Sequence, residues 1–359
     1  MSMADTPPDL GKAQRSFLPQ GNPAWLGLRA EEIIDPALPL IDPHHHLWGP
    51  PRQPYLGPEF GADLRSGHNF VATIFTDCTE QYRTDGPEAY RTVGETEFAA
   101  RVGEASDRGE YGPVRMCQGI ISRVDLAEGA ASAHILRAHI AAGRGRFKGI
   151  RFSTAWDPHP EIRTTARNPG EGLLRDPRVR EGVACLAPLG LVLDTWVYHH
   201  QIPDVTALAR AFPGLPIVLN HVGGPVRIGP YAAKLDEVYA SWRANIAELA
   251  REPNVHVKLG GLGMRISGFH FEDNPMPPSS EDLAVAWRPF IEPCITLFGA
   301  HRAMFESNFP VDSLSCSFQI MWNAFKRLAA GGSADERRAL LAGTAARVYG
   351  LDVPQLTGP

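Results

Sequence analysis

The chain predicts a (β/α)8, TIM-like barrel in a single domain, and three observations lead there. Eight short apolar runs, at 38–44, 70–77, 116–121, 147–152, 190–197, 216–221, 255–259 and 303–308, are separated by stretches long enough to hold a helix. Such alternation builds parallel strands joined by crossover helices. Polar, reactive side chains gather at the ends of these runs, where barrels of this type carry their sites. The competing architecture, an open doubly wound sheet, would carry a Gly-rich loop between its first strand and helix. Gly143-Arg144-Gly145 instead precedes a strand.

Residues 1–36 are rich in Pro, Gly and polar side chains, with one apolar knot at Pro23–Leu28, and read as an arm that packs on the domain or on a neighbouring subunit. The barrel spans 37–352 and a short tail 353–359. The first run leads into Asp42-Pro43-His44-His45-His46-Leu47-Trp48. Side chains alternate along a strand, so Asp42, His44 and His46 share one face and His45 takes the other. Run two ends in Asp77-Cys78, run four in Arg151, and run five in Asp194-Thr195-Trp196-Val197-Tyr198-His199-His200. Asp204–Phe212 has helical spacing and stops at Pro213-Gly214. Run six ends in Asn220-His221, run seven in Lys258 before Gly260-Gly261, and run eight in Glu306-Ser307-Asn308.

With 359 residues, 43% of them hydrophobic, the chain can bury one large core. A formal net charge of −5 supplies no general attraction for nucleic acid or an anionic membrane, so the expected partner is a small molecule. No apolar run approaches the ~18 residues of a membrane span, and the N-terminus lacks a basic region followed by an apolar stretch. A cytoplasmic protein is expected, and the apolar knot in the arm suggests homo-oligomer contacts. Cys78, Cys117, Cys185, Cys294 and Cys316 are scattered and odd in number, which argues against a disulfide framework or a zinc knot.

Two imidazoles on one face at a strand end can share a metal ion or serve as acid–base groups. A surface histidine run is the bland alternative. It loses ground here because the run follows an apolar strand and two further histidines, His200 and His221, recur in the same setting. If an ion is bound, His44, His46 and His200 are the expected ligands, and zinc or manganese suits their nitrogen-rich set. Arg151 and Arg123, at strand ends, could clamp a substrate carboxylate; ion pairs with Asp125 or Asp157 are the alternative. Trp48, Tyr82, Trp196 and Tyr198 fall near strand ends and suggest an aromatic lining for the substrate.

The motifs resemble those of the amidohydrolase superfamily, within it the branch of sugar-lactone and pyrone-dicarboxylate lactonases. Asp42, His44 and His46 match its opening D-x-H-x-H, His200-Gln201-Ile202-Pro203 its strand-five pattern, Val218–Pro225 its strand-six signature, and Gly343–Leu351 its closing helix. The resemblance covers about residues 38–351 and implies hydrolysis of a cyclic ester, with or without a divalent metal. One position departs. Where the family has Gly-Ser-Asp before an aromatic residue and Pro, this chain reads Glu306-Ser307-Asn308-Phe309-Pro310. The resemblance makes that Asp a general base or last metal ligand, and a neutral Asn308 cannot take a proton. Glu306 shares the face of Asn308 one layer deeper, so the carboxylate is expected to have moved inward, with Asp312 a second candidate. The expected catalytic set is His44, His46, His200, His221, Glu306, Asn308 and Asp312. Two other readings stay open: a metal-dependent decarboxylase of an aromatic acid on the same scaffold, and a non-catalytic ligand-binding relative.

Overall fold

A computed structural model describes residues 20–164 and 169–356. Eight strands, β1 (Pro39–His45), β2 (Asn69–Thr76), β3 (Arg115–Ser122), β4 (Phe147–Ser153), β5 (Val192–Trp196), β6 (Ile217–Leu219), β7 (Val255–Leu259) and β8 (Ala303–Phe305), form one sheet in sequential order. Every neighbouring pair is parallel. The sheet curls into a barrel that nearly closes, and the open-sheet alternative is excluded by this unbroken order. Closure is made just past the strand ends: His46 N donates to Phe309 O at 2.7 Å and Asn308 N to His44 O at 2.9 Å. Asp42 adds a side-chain staple, accepting from Ser307 N at 3.0 Å and Ser307 Oγ at 2.6 Å. The residues that close the barrel therefore flank those expected to do chemistry.

Helices cover the outside. They include α1 (Pro23–Leu26) in the arm, α2 (Gly57–Leu64), α3 (Val93–Asp107), α4 (Ser132–Ala142), α5 (Pro177–Val183), α6 (Ile202–Ala211), α7 (Leu235–Leu249), α8 (Ser280–Phe298) and α9 (Phe318–Ala329). The helix expected at 204–212 begins two residues earlier, because Pro203 fits the first turn, where no backbone donor is needed. Ser279 caps α8 reciprocally, its Oγ accepting from Asp282 N at 3.1 Å while its own N–H donates to Asp282 Oδ2 at 2.8 Å. No helix among the described residues is long and apolar enough to cross a membrane.

Strand parity sorts the two cores. Leu193, Leu219, Val257 and Phe305 face the helices, while Val192, Val218 and Met304 face inward and pack with Tyr349 and Val353 from the C-terminal segment, sealing the lower barrel. Two residues further along the chain in each case stand Asp194, within β5, and Asn220 and Glu306, just past the ends of β6 and β8. The barrel interior thus changes from apolar to polar within one layer.

Candidate active site

Glu306 lies at the centre of that polar layer. Its Oε1 accepts from His221 Nδ1 at 2.7 Å and from His221 N at 2.9 Å. Its Oε2 lies 2.7 Å from His44 Nδ1, but out of line with the ring, so this fully buried oxygen takes no aligned hydrogen bond. Burial pushes Glu306 up to about 8, against the opposing pull of the Lys258 ammonium. Burial and the charge of Lys258 hold His44 well below the usual imidazole range, and burial does the same to His46 and His221. All three rings are therefore neutral near pH 7.

Neutral rings carry one donor and one acceptor, so their partners determine the tautomers. His46 Nδ1 faces the Thr76 carbonyl at 2.8 Å and must carry the proton. His46 Nε2 then presents a lone pair to the Asn308 amide 3.2 Å away, which requires the Asn308 NH2 to face it, since amide orientation is an assignment. The Asn308 oxygen would then meet Asp312, whose carboxyl burial pushes up to about 8 and so keeps protonated as a donor. His44 is approached by two obligate donors, Arg151 Nη1 at 3.3 Å from Nε2 and Lys258 Nζ at 3.4 Å from Nδ1. One lone pair can serve only one of them. When Glu306 is ionised, the carboxylate beside Nδ1 favours a proton there, with Arg151 donating to Nε2.

The backbone is shaped around this cluster. His221 and Val222 both adopt positive φ, +55° and +48°, a strained choice for a β-branched residue that turns the His221 ring onto Glu306. Gly260 and Gly261 make room: a Cβ on Gly260 would lie 2.3 Å from the Glu306 carbonyl oxygen, and one on Gly261 2.4 Å from His221 Cβ. Their pairing in sequence was a signal for this crowding.

Arg151 Nε donates to Asp77 Oδ1 at 2.7 Å and Nη2 donates to the Asp77 carbonyl. The partner of Arg151 is thus neither Asp125 nor Asp157. The loop just after Asp77 is held by Glu95, wholly buried on α3, whose Oε1 accepts from Cys78 N and Glu80 N at 2.8 Å each. Below the cluster, Lys258 Nζ lies 2.6 Å from Asp194 Oδ2, with both side chains fully buried. Asp194 also accepts from Asn220 Nδ2 at 3.0 Å and Tyr349 OH at 2.8 Å. In the sequence Asp194 and Lys258 stand at strand ends, but no motif or spacing pairs them.

His200 is placed elsewhere. It sits in the turn His199–Gln201 past the end of β5, where Nε2 donates to Trp156 O at 3.0 Å and the ring lies parallel to Tyr231. The ligand group that the described residues bring together, with ligand atoms within 4.8 Å of one another, is His44, His221 and Glu306, not His44, His46 and His200. The physical reason is that the strand ends four residues before His200, so strand parity no longer aims it inward. His45 points outward onto Phe60 and Thr73. Trp196 packs edge-on against His221, ring centroids 4.7 Å apart. Trp48 and Tyr198 are buried, Trp48 behind His46 and Tyr198 with its OH donating to Ile162 O, so neither offers a free face at the mouth. Tyr82 and Arg123 are half-buried on the loops after β2 and β3.

Two imidazoles and a carboxylate with an unsatisfied buried oxygen form a donor set that fits a divalent ion. The cluster stands at the C-terminal ends of barrel strands, where barrel enzymes carry their sites. Residues 41–351 match the family model described as amidohydrolase, and the chain belongs to that family: it is an enzyme, a hydrolase. Over 324 residues it is 32% identical to the uncharacterized protein y4mH of Sinorhizobium fredii, spanning 86% of this chain and 98% of that one. It is 34% identical over 183 residues to an L-fucono-1,5-lactonase of Burkholderia multivorans, covering 48% of this chain and 56% of the relative. A solved amidohydrolase from Burkholderia multivorans with bound zinc aligns with a TM-score of 0.65 at 26% identity, covering 87% of this chain and 99% of that one.

Proposed function

We propose that the protein hydrolyses a lactone, and the observation that carries this reading is the His221–Glu306 pair. In its ionised form, which gains population as pH rises through about 8, Glu306 accepts from Nδ1 and holds His221 in the tautomer with a free Nε2 lone pair, the arrangement that makes an imidazole a general base. Water loses its proton to His221 Nε2 as its oxygen attacks the acyl carbon. The same proton then passes to the ring oxygen as the acyl–oxygen bond breaks, and Glu306 stabilises the imidazolium in between. Arg151 uses three of its five N–H donors on Asp77 and His44, which leaves two for the developing oxyanion or a substrate carboxylate. The relocated carboxylate is thus an orienting group, and the base is the histidine it holds. His44, His221 and Glu306 would also hold a divalent ion, zinc or manganese, which when bound polarises a carbonyl and acidifies water.

The lactonase relatives make L-fucono-1,5-lactone and related aldonolactones the first substrates to test. Acid release on incubation with such lactones is the expected result; carbon dioxide release from hydroxybenzoates without acid release from any lactone would instead establish the decarboxylase. Metal content of protein purified without added salt, together with turnover after exhaustive chelation, decides whether the ion is required. Gly261→Ala is expected to lower turnover about 100-fold, because its Cβ cannot coexist with His221 in place and a displacement near 1 Å suffices for a loss of that size. Steady-state kinetics beside a denaturation curve separates that loss from unfolding.

A further inference from the structure

The arm lies outside the family match, which begins at residue 41, yet its first described residues sit at the mouth of the barrel. Gly21 N donates to Ser313 Oγ at 3.0 Å, and Ser313 Oγ in turn donates to Pro310 O at 2.6 Å, in the segment after β8. Gln20 Oε1 accepts from the Trp48 indole at 3.3 Å, sharing that donor with Gln53 O at 3.1 Å. Trp25 and Arg29 reach the loop after β7, donating to Asn274 O at 2.9 Å and Pro277 O at 2.7 Å. One short segment thus bridges the loops that follow strands one, seven and eight. Lower down, Lys326 of α9 donates to Ile34 O and Asp35 O, which guides the arm to the start of β1.

The fit at the mouth is close. A Cβ on Gly21 would lie 1.9 Å from the Ser313 carbonyl oxygen, so no larger residue can occupy that place without moving the arm or the β8 loop. Trp48 is fully buried and lies nearly parallel to His46, planes 18° apart and centroids 6.0 Å apart. Ser313 follows Asp312, which holds the Asn308 amide at 2.7 Å. The contacts of Gln20 and Gly21 are therefore each one step from a group in the site.

We propose that Gln20 and Gly21 are positioning residues: they clasp the β1 and β8 loops together from outside, keep His46 and Asn308 in register, and thereby tune which lactones the site accepts. His46 and Asn308 sit on opposite sides of the barrel's closure, whose inner fastening is a few hydrogen bonds and the Asp42 staple. An outer clasp limits how far the two sides can slide. Only the kinetic part of this proposal rests on the hydrolytic reading.

The test uses full-length Gly21→Ala, Gln20→Leu and Gln20→Glu, with the Trp48 indole and His46 ring nitrogens followed by NMR and with kcat and KM measured across several lactones. Gly21→Ala and Gln20→Leu are expected to shift both resonances and to change kcat/KM about tenfold, unequally among lactones, while Gln20→Glu keeps an acceptor and restores parental values. Unmoved His46 resonances in Gly21→Ala, or a Gln20→Glu protein as impaired as Gln20→Leu, overturns the proposal. If the parent turns over no lactone, the resonance shifts still decide the arm's role, and the two readings fail separately.

Discussion

Glu306→Gln is expected to cut lactone turnover about a thousandfold or more, with substrate affinity changed far less. A carboxylate can accept from His221 Nδ1 and lie beside His44 Nδ1 at the same time. An amide offers one acceptor and one NH2, so one imidazole would face a donor and be driven to the opposite tautomer. Losing the tautomer of a catalytic histidine while keeping its geometry costs on the order of 10⁴ in serine hydrolases, by the same physics. Asp312→Asn should cost little by comparison, because Asp312 contacts Asn308 and Gly263 rather than a reacting group. Steady-state rates of the two variants under matched conditions provide the check. Full activity in Glu306→Gln would mean the carboxylate was lost from the mechanism and not moved within it.

Lys258→Met should be the most destabilising change in the barrel interior, by about 3–5 kcal/mol, because it leaves Asp194 buried without its counter-ion. Removing both charges, as Lys258→Met with Asp194→Leu, is expected to recover part of that loss but not all. Tyr349 OH and Asn220 Nδ2 both donate to Asp194, and the double variant strands them, at about 1–3 kcal/mol for each unsatisfied group. Urea denaturation of the two single variants and the double variant yields the coupling. Additive losses would show that the pair contributes nothing beyond its separate side chains.

The strands were legible because apolar runs in a parallel barrel are buried on both faces and stand out from the amphipathic helices between them. Their ends were less so. The run at 303–308 gives a ladder only over Ala303–Phe305, because Glu306 to Asn308 leave the sheet to meet β1, with Asn308 at φ +53°. Parity along β1 correctly separated His44 and His46 from His45, and the departure at Glu306 and Asn308 was visible as a broken motif. His200 lies outside the His44–His221–Glu306 group because the parity that would aim it inward holds only while the chain remains a strand, and β5 ends at Trp196.

By itself the sequence determined the barrel, the face that each β1 histidine takes and the presence of a carboxylate, Glu306, two residues before Asn308, since all of these follow from local periodicity and residue type. Tertiary structure alone decided that Glu306 orients His221, that Arg151 pairs with Asp77, that Lys258 pairs with Asp194 across the interior, and that the arm clasps the mouth. Each of these joins residues from different strands or loops. Such contacts depend on the shear and closure of the whole barrel, and no window of sequence contains them.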